Sequence, residues 1–321
     1  MSKTAKIWLI VAASFIVAGL IIFGGAMTMI GWDFGKLSTG KFETNSYVIA
    51  ESYTDITIAT DTAGIVFVPS ENEKTSVVCY EESTARHSVD VIDDVLTIKV
   101  TNTKKWYQYI GLSFGTPKIT VYLPSSEYGS LSIKESTGAV DIPNSFVFEG
   151  IDITASTGAV KSSASASGYV KIKTSTGAID VAGMSAASLD LSVSTGRVTL
   201  SNVSCSGDIS VKVSTGKATL TKVTCQNLVS NGSTGSVILN KVISNGKFNI
   251  ERSTGDIKLF DCDAAELFIK TDTGDVSGTL LTPKIFSAKT DTGKIDVPKS
   301  TSGGLCEVIT DTGDIRISIA K

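Results

Sequence analysis

The chain has 321 residues, of which 42% are hydrophobic and 19% are charged, and its formal net charge is −3. Such a mildly acidic chain lacks the basic surface that nucleic-acid binding requires. Its single histidine argues against Ser-His-Asp, Cys-His and multi-histidine zinc chemistry. Five cysteines, an odd number without a CxxC pair, do not form the disulfide framework of a small secreted domain.

The first predicted element is a transmembrane signal anchor over residues 7–32, which contain no charged residue. About 20 apolar residues cross a bilayer as a helix, and this stretch is long enough. Lys3 and Lys6 precede it, so residues 1–6 are expected to be cytoplasmic and the C-terminal body extracellular. A cleaved signal peptide is the alternative, but the apolar run is long and no A-x-A site follows it. Residues 33–46 are predicted to be a linker.

The strongest pattern is a Thr-Gly pair, preceded by Ser or Asp, that recurs every 19 or 20 residues. Repeats of this length are typical of solenoids, in which each repeat contacts only its neighbours. The ten glycines are Gly138, Gly158, Gly177, Gly196, Gly216, Gly235, Gly255, Gly274, Gly293 and Gly313.

Within each repeat, apolar and polar residues alternate, which is the period of a β-strand. The sequence therefore predicts two short strands per coil, joined at the Ser/Asp-Thr-Gly corner, where glycine takes a positive φ. Stacking the coils about 4.8 Å apart would bury a continuous apolar column. The predicted fold is all-β, a single-stranded parallel β-solenoid of about 19-residue coils, regular over residues 131–321. Residues 47–130 are predicted to be irregular first coils that cap the same solenoid.

With these repeats, the chain resembles a bacterial family of membrane-anchored β-strand-repeat proteins that carries the adhesin name, a domain of unknown function. The features that carry the resemblance are the S/D-T-G-x-[VI]-x-[VLI] corners from Ser136 to Ile317 and the strand Ile119–Pro124 before them. The resemblance covers residues 47–321. It implies a membrane-anchored surface protein and supplies no catalytic residues.

Three corners, at Asp272, Asp291 and Asp311, contain the Asp-Thr-Gly triplet of aspartic proteases. Those enzymes bring two such residues together to share one proton. Here the triplets are in register with seven Ser-Thr-Gly corners, so we interpret them as turn residues stacked in one column. Such a column could bind Ca²⁺.

A second acidic column, Asp256, Asp275 and Asp314, follows the glycines and is interrupted by Lys294. The G-G-x-G-x-D pattern of calcium β-rolls is absent, which favours a solvated acidic edge over a calcium site.

Thr-x-Thr pairs precede several corner glycines, and a flat threonine ladder is how some solenoids bind ice. Because Val193, Val213, Gly232 and Arg252 interrupt the pattern, corner capping is the favoured interpretation. The pairs are Thr174/Thr176, Thr271/Thr273, Thr290/Thr292 and Thr310/Thr312.

Cys205 and Cys225 both lie nine residues after a corner glycine, so they are expected to stack on adjacent coils. That places their Cα atoms about 5 Å apart, within disulfide range, and leaves a disulfide and two packed thiols as alternatives.

An aromatic-rich segment, Trp106–Phe114, is predicted to fold over the open end of the solenoid, with sugar or protein binding as the alternative. Lys104, Lys105 and His87 are interpreted as solvated surface residues.

The predicted function is a non-enzymatic cell-surface module: an adhesin, an envelope-associated scaffold or a signalling protein. The alternatives are a carbohydrate-active β-helix enzyme and a self-assembling surface filament. No residue is assigned to a catalytic, cofactor or metal site. The expected partners are the membrane, through residues 7–32, and an extracellular glycan or an envelope protein; nucleic acid is not expected.

Overall fold

A computed structural model describes residues 2–33, 40–104 and 115–320. In this part of the chain one helix is followed by parallel and antiparallel strands. They are α1 (Lys3–Met29), β1 (Phe42–Ile49), β2 (Asp55–Thr60), β3 (Gly64–Pro69), β4 (Thr75–Glu82), β5 (Ala85–Ile92), β6 (Val95–Asn102), β7 (Lys118–Leu123), β8 (Glu127–Thr137), β9 (Val140–Ile142), β10 (Val147–Thr157), β11 (Val160–Ser162), β12 (Ser165–Ala166), β13 (Tyr169–Ala182), β14 (Ser185–Ala186), β15 (Ser188–Cys205), β16 (Ile209–Cys225), β17 (Leu228–Thr234), β18 (Val237–Ser244), β19 (Lys247–Thr254), β20 (Ile257–Cys262), β21 (Glu266–Thr273), β22 (Val276–Leu280), β23 (Ile285–Thr292), β24 (Ile295–Asp296), β25 (Leu305–Thr312) and β26 (Ile315–Ile319).

The helix α1 is long and apolar enough to cross a membrane, with 27 residues and a mean hydropathy of 2.6 in its most apolar window. The Ser2 hydroxyl caps its first turn by accepting a hydrogen bond from the Ala5 backbone N–H at 3.2 Å. No residue of that window is buried against the rest of the chain, as expected for a helix that would face lipid.

The strands that follow wind into a solenoid with three faces per coil, one more than the sequence predicted. In the coil around Gly196, face A runs over residues 189–193, face B over 198–200 and face C over 203–205. The sequence did not reveal face C because its corner has no constant residue. Its inward residues also vary widely in size, from Ala186 and Cys205 to Phe148.

The corner between faces B and C is made by a residue in the left-handed conformation. Asn202, Lys222, Lys241 and Asp261 occupy it with φ between 51° and 53°, and Gly183 with φ 64°. Each lies six residues after its Thr-Gly glycine. A polar non-glycine residue can adopt this conformation at modest cost, so the second corner does not have a glycine in every coil.

The Thr-Gly corners lie along one edge of the solenoid, as predicted. Parallel pairing sets Gly177 against Gly196 and Gly196 against Gly216. The corner N–H groups donate to the threonine carbonyl of the next coil, as Gly158 does to Thr176 at 2.9 Å. The ladder therefore continues through the corner instead of stopping there.

Each corner leaves no room for a side chain. A Cβ built on Gly196 would lie 1.6 Å from the carbonyl oxygen of Gly177 in the neighbouring coil, and the φ of Gly196 is +149°. Both the backbone conformation and the stacking distance therefore require glycine.

Inward residues of the three faces form one continuous hydrophobic core. Face A contributes pairs such as Leu189 and Leu191, face B Val198 and Leu200, and face C Val203 and Cys205, all buried. One coil cannot cover these side chains by itself, so stacking of the coils provides the burial that stabilises the fold.

At the N-terminal end, the coils are not stacked in chain order. The coil formed by β2 and β3 packs between the coil of β8 and β9 and that of β6 and β7. The outermost strands are then joined by antiparallel strands: β5 pairs with β6, β4 with β7 and β1 with β4. Residues 42–46 of β1 fall within the stretch 33–46 for which a linker was predicted, so the strand begins earlier than expected.

The C-terminal end has the same kind of exchange. The last coil, β25 and β26, pairs directly with β21 and β22, and the preceding coil, β23 and β24, lies outside it. The outermost coil therefore leaves Ile285 and Ile295 45% and 46% exposed.

The corner geometry predicts unequal effects for two glycine substitutions. Gly196→Ala should destabilise the protein by several kcal/mol, about 3–5, because its Cβ would meet backbone of the adjacent coil and the stack would have to open. Gly183→Ala is the matched control: nothing lies within 4 Å of its Cβ, so only the strain of a left-handed alanine, about 1–2 kcal/mol, should appear. Denaturant unfolding of both variants measures the difference. Equal losses would contradict the stacking constraint.

Candidate binding face and buried polar groups

The three Asp-Thr-Gly corners form a single column, but in an order that the sequence did not predict. Thr273 pairs with Thr312 and Thr312 with Thr292, so Asp311 lies between Asp272 and Asp291. Asp272 lies 4.0 Å from Lys270, and Asp291 lies 3.5 Å from Lys289. These are exposed ion pairs within single coils, which do not form a facing carboxylate dyad.

In three of the four Thr-x-Thr pairs the first threonine caps the corner of a neighbouring coil, in agreement with the favoured interpretation, whereas Thr174 Oγ1 donates to the Thr176 carbonyl of its own coil at 3.4 Å. Thr271 Oγ1 donates to the Gly255 carbonyl at 3.1 Å, Thr310 to Gly274 at 3.1 Å and Thr290 to Gly313 at 3.0 Å. The hydroxyls point towards the core side of the strand, so they present no flat threonine surface to solvent.

The second acidic column is a ladder of carboxylates that accept backbone N–H groups. Asp256 accepts from the N–H of Asp275 at 3.2 Å, Asp275 from that of Asp314 at 2.8 Å, and Asp314 from that of Lys294 at 2.7 Å. Lys294 terminates this ladder because its coil is the outermost one. One oxygen of each carboxylate thus already binds the next coil, and these bonds account for the column without a cation.

Face A also carries a row of exposed lysines that the sequence reasoning did not single out. We call Lys99, Lys134, Lys173 and Lys212 the lysine row. The register of β6, β2, β8, β10, β13, β15 and β16 places them in one outward column. Ala59, Thr154 and Ser192 occupy the same column in the intervening coils.

A shallow groove of about 430 Å³ runs along the first part of this row. Lys99 and Lys134 flank it, and the small side chain of Ala59 lies between them. Ser136, Thr154, Asp61 and Glu135 also line the groove, so its polar groups include hydroxyls and carboxyl groups as well as ammonium groups.

All five cysteines are free thiols buried in the body. Cys205 and Cys225 stack on adjacent coils as predicted, since Ser204 pairs with Thr224 next to them. Of the two alternatives, the structure has packed thiols. Burial raises the pKa of the Cys225 thiol to about 12, so it has little reactive thiolate.

The interpretation of His87 as a solvated surface residue is wrong. His87 is 4% exposed, its Nδ1 lies 2.5 Å from a Glu81 oxygen, and its Nε2 lies 2.9 Å from Thr60 Oγ1. Because β4 and β5 form a hairpin, alternate residues of both strands point into the same interior. Without a neighbouring repeat to compare, the sequence did not reveal this burial.

Lys104 is likewise not simply solvated: its ammonium group lies 2.5 Å from a carboxylate oxygen of Glu82, with only 19% of its side chain exposed. Lys105 and the aromatic segment Trp106–Phe114 lie outside the described residues, so their predicted roles stay predictions.

Cys79, Glu81 and His87 form the one group of three metal-ligating side chains found in residues 2–33, 40–104 and 115–320, with ligand atoms within 4.8 Å of one another. Burial raises the pKa of the Cys79 thiol to about 12, which keeps it protonated. Glu81 accepts from Asn45 Nδ2 at 2.7 Å and from the His87 backbone N–H at 2.7 Å. These groups already satisfy each other, so the cluster is better explained as a buried hydrogen-bond network that fixes the hairpin.

This network predicts a loss of stability when Glu81 is replaced. In Glu81→Gln an amide NH₂ replaces an oxygen that accepts hydrogen bonds, which leaves one buried donor unpaired and costs roughly 1–3 kcal/mol. Thermal or urea unfolding measures the loss. Glu71→Gln, at an exposed position in the turn before β4, is the control and should change stability little. An unchanged unfolding midpoint in Glu81→Gln would contradict the network.

Two further charged residues are buried on the core side of face A without an opposite charge. Neither carboxylate oxygen of Glu135 has a hydrogen-bond partner, and burial raises the pKa of Glu135 to about 7. Arg252 donates to Ser230 Oγ and to the Glu251 carbonyl, and burial lowers its pKa to about 10. Gly232 makes space for the guanidinium, because a Cβ there would lie 2.9 Å from Arg252 Nη1.

Glu135 gives the protein a pH-dependent stability. Because its pKa rises on folding, the folded state binds more protons between pH 4.5 and about 7, and stability falls as the pH rises through that window. Glu135→Gln should remove this loss, so the variant should gain roughly 1–3 kcal/mol over the wild type at pH 8 and little at pH 4. Unfolding curves at both pH values test this. A difference independent of pH would contradict it.

Comparisons with known proteins place the body in one family. The family model described as Toastrack DUF4097 matches residues 53–209 and 204–321. No curated protein matches the chain.

Similar solved structures include a "putative adhesin" from Bacteroides fragilis, 14% identical, with 87% of this chain and 97% of that chain covered and a TM-score of 0.42. A "putative lipid binding protein" from Parabacteroides distasonis is 15% identical, with 88% and 98% covered and a TM-score of 0.45. A "putative cell adhesion protein" from Clostridium sporogenes is 10% identical, with 87% and 100% covered and a TM-score of 0.25. The family match confirms the resemblance found in the repeats, and the chain belongs to the Toastrack DUF4097 family.

Proposed function

We propose that this protein is a non-enzymatic surface module: an adhesin or envelope-associated scaffold that holds a β-solenoid outside the cytoplasm on a membrane anchor. The observation that carries the proposal is the junction of an apolar helix of membrane-spanning length with a solenoid whose outward columns are polar. Lys3 and Lys6 at the start of α1 favour a cytoplasmic N-terminus and an extracellular body.

The outward side chains support binding more than catalysis. Apart from Asp311, the acids of the two corner columns take part in exposed ion pairs or accept backbone N–H groups from the next coil. Glycoside hydrolysis requires two carboxyl groups facing each other across a groove. A regular column offers instead the same contact repeated along its length, which suits an extended ligand.

A second candidate function, self-assembly into filaments, is favoured by one observation. The outermost C-terminal coil leaves Ile285 and Ile295 nearly half exposed and the outer edge of β23 without a strand partner among the described strands. Unpaired strands can add further chains. Sizing of the full-length protein in nanodiscs over a range of concentrations separates a filament from a monomeric module.

The main proposal predicts that the body is accessible from outside the cell and retains envelope material. Protease added to intact cells should remove an epitope tag at the C-terminus while a tag before Lys3 survives until the cells are lysed. Full-length protein in neutral-lipid nanodiscs should also bind purified cell envelopes, and nanodiscs with α1 alone are the control. Protection of the C-terminal tag, or binding equal to that of α1 alone, would contradict the proposal.

A further inference from the structure

We infer that the lysine row on face A binds a linear acidic polysaccharide that lies along the stack of coils. The inference rests on the proposed surface function and names the ligand class. Stacking of the coils brings Lys134, Lys173 and Lys212, from alternate repeats, into one line with Lys99 of the N-terminal coils.

Lys134, Lys173 and Lys212 alternate along the chain, and the exchange of coils at the N-terminal end extends this alternation to Lys99. Lys99 pairs with Ala59, and Ala59 pairs with Lys134, so the coil of β2 and β3 separates the two lysines. The next coils contribute Thr154, Lys173, Ser192 and Lys212. A lysine therefore stands on every second coil, at intervals of about 10 Å over roughly 30 Å.

The alternation lowers repulsion between the lysines, since ammonium groups on adjacent coils would be about 5 Å apart. Two acids lie close to the row without pairing with it: Asp61 lines the groove beside Lys99 and Lys134, and Asp190 lies two residues from Ser192 on face A. None of the four lysines has an ion-pair partner among the described residues, whereas Lys171 on the same face lies 4.0 Å from Asp152. Towards the C-terminal end of the column, Lys270 and Lys289 lie beside the corner acids Asp272 and Asp291.

The surroundings of the row leave it open to a chain-like ligand. On the corner side, its coils carry the small serines Ser136, Ser156, Ser175, Ser194 and Ser214. All four lysines are exposed, and the groove over Ala59 joins Lys99 to Lys134. The positive charge thus forms a narrow line flanked by hydroxyls, with the exposed acid Asp61 in the groove. The hydroxyls can hydrogen-bond sugar rings between the charges.

The spacing of the charges favours one ligand class. A polysaccharide of alternating neutral and acidic sugars carries a carboxylate on every second ring, which is close to the two-coil interval of the row. Lysine ammonium groups on flexible stems can adjust to the remaining mismatch. Anionic lipid headgroups are the other polyanion available at a membrane, but they diffuse freely and have no fixed linear spacing.

The test measures binding of hyaluronan oligosaccharides, as the probe of this class, to full-length protein in phosphatidylcholine nanodiscs. The row variant combines Lys134→Ser with Lys173→Ser. Small side chains already occupy this column in the intervening coils, so the substitution should be tolerated. The matched control is Lys161→Ser combined with Lys217→Ser, which removes the same charge from two exposed positions outside the row, one on face B and one at the Thr-Gly corner beside it. The row variant should weaken binding by about 3- to 10-fold, the control should not, and the wild-type affinity should fall as salt increases. All variants should unfold at the wild-type midpoint.

Equal affinity in the row variant and the wild type, or an equal loss in the control, would overturn the inference. So would binding only to vesicles that contain phosphatidylglycerol, because that result would assign the row to the membrane surface. Binding to purified envelopes separates the failure of the two proposals. If the row variant binds envelopes as the wild type does, the proposed surface function is retained and only the acidic polysaccharide is rejected as the ligand. If neither protein binds envelopes, the proposed function fails as well.

Discussion

The fold depends on how closely two coils approach at the Thr-Gly corner. Backbone bonds cross from Gly158 to Thr176 and from Gly313 to Thr292 at 2.9 Å, so the ladder is continuous around the turn. A Cβ at the corner would occupy the position of the neighbouring carbonyl. This constraint sets the repeat length, keeps the apolar columns in register and fixes which residues face solvent.

The same constraint allows coils to exchange places at the ends. A coil bonds to whichever neighbour presents a matching corner. Thr312 pairs with Thr273 on one side and with Thr292 on the other, in the same register. At the N-terminal end the coil of β6 and β7 lies outside the earlier coil of β2 and β3. At the C-terminal end the coil of β23 and β24 lies outside the later coil of β25 and β26. The exchange also determines the surface, because it produces the alternation of Lys99, Ala59 and Lys134 on face A.

The sequence predicted the solenoid, the corner column and the stacked cysteines because each recurs at a constant interval. Three features were not predictable in this way. Face C has few residues per coil, and its corner accepts Asn, Lys or Asp instead of a constant glycine. The stacking order at the ends depends on which of the similar corners pair with each other. A repeated motif does not specify its own pairing partner. The burial of His87 depends on an antiparallel hairpin that occurs once. Lys134, Lys173 and Lys212 alternate along the sequence itself, whereas the place of Lys99 in the row exists only in the stacked order.

The central claim is that the corners lie in one column with a constant rise per coil. Nitroxide-bearing noncanonical residues at Ser136 and Ser253, read by double electron–electron resonance, test it directly because both corners are exposed and lie six coils apart. The account predicts a single distance of about 29 Å, which shortens by about 5 Å for each coil by which the second label is moved back. Distances that do not change in steps, or a broad distribution around a different value, would contradict it.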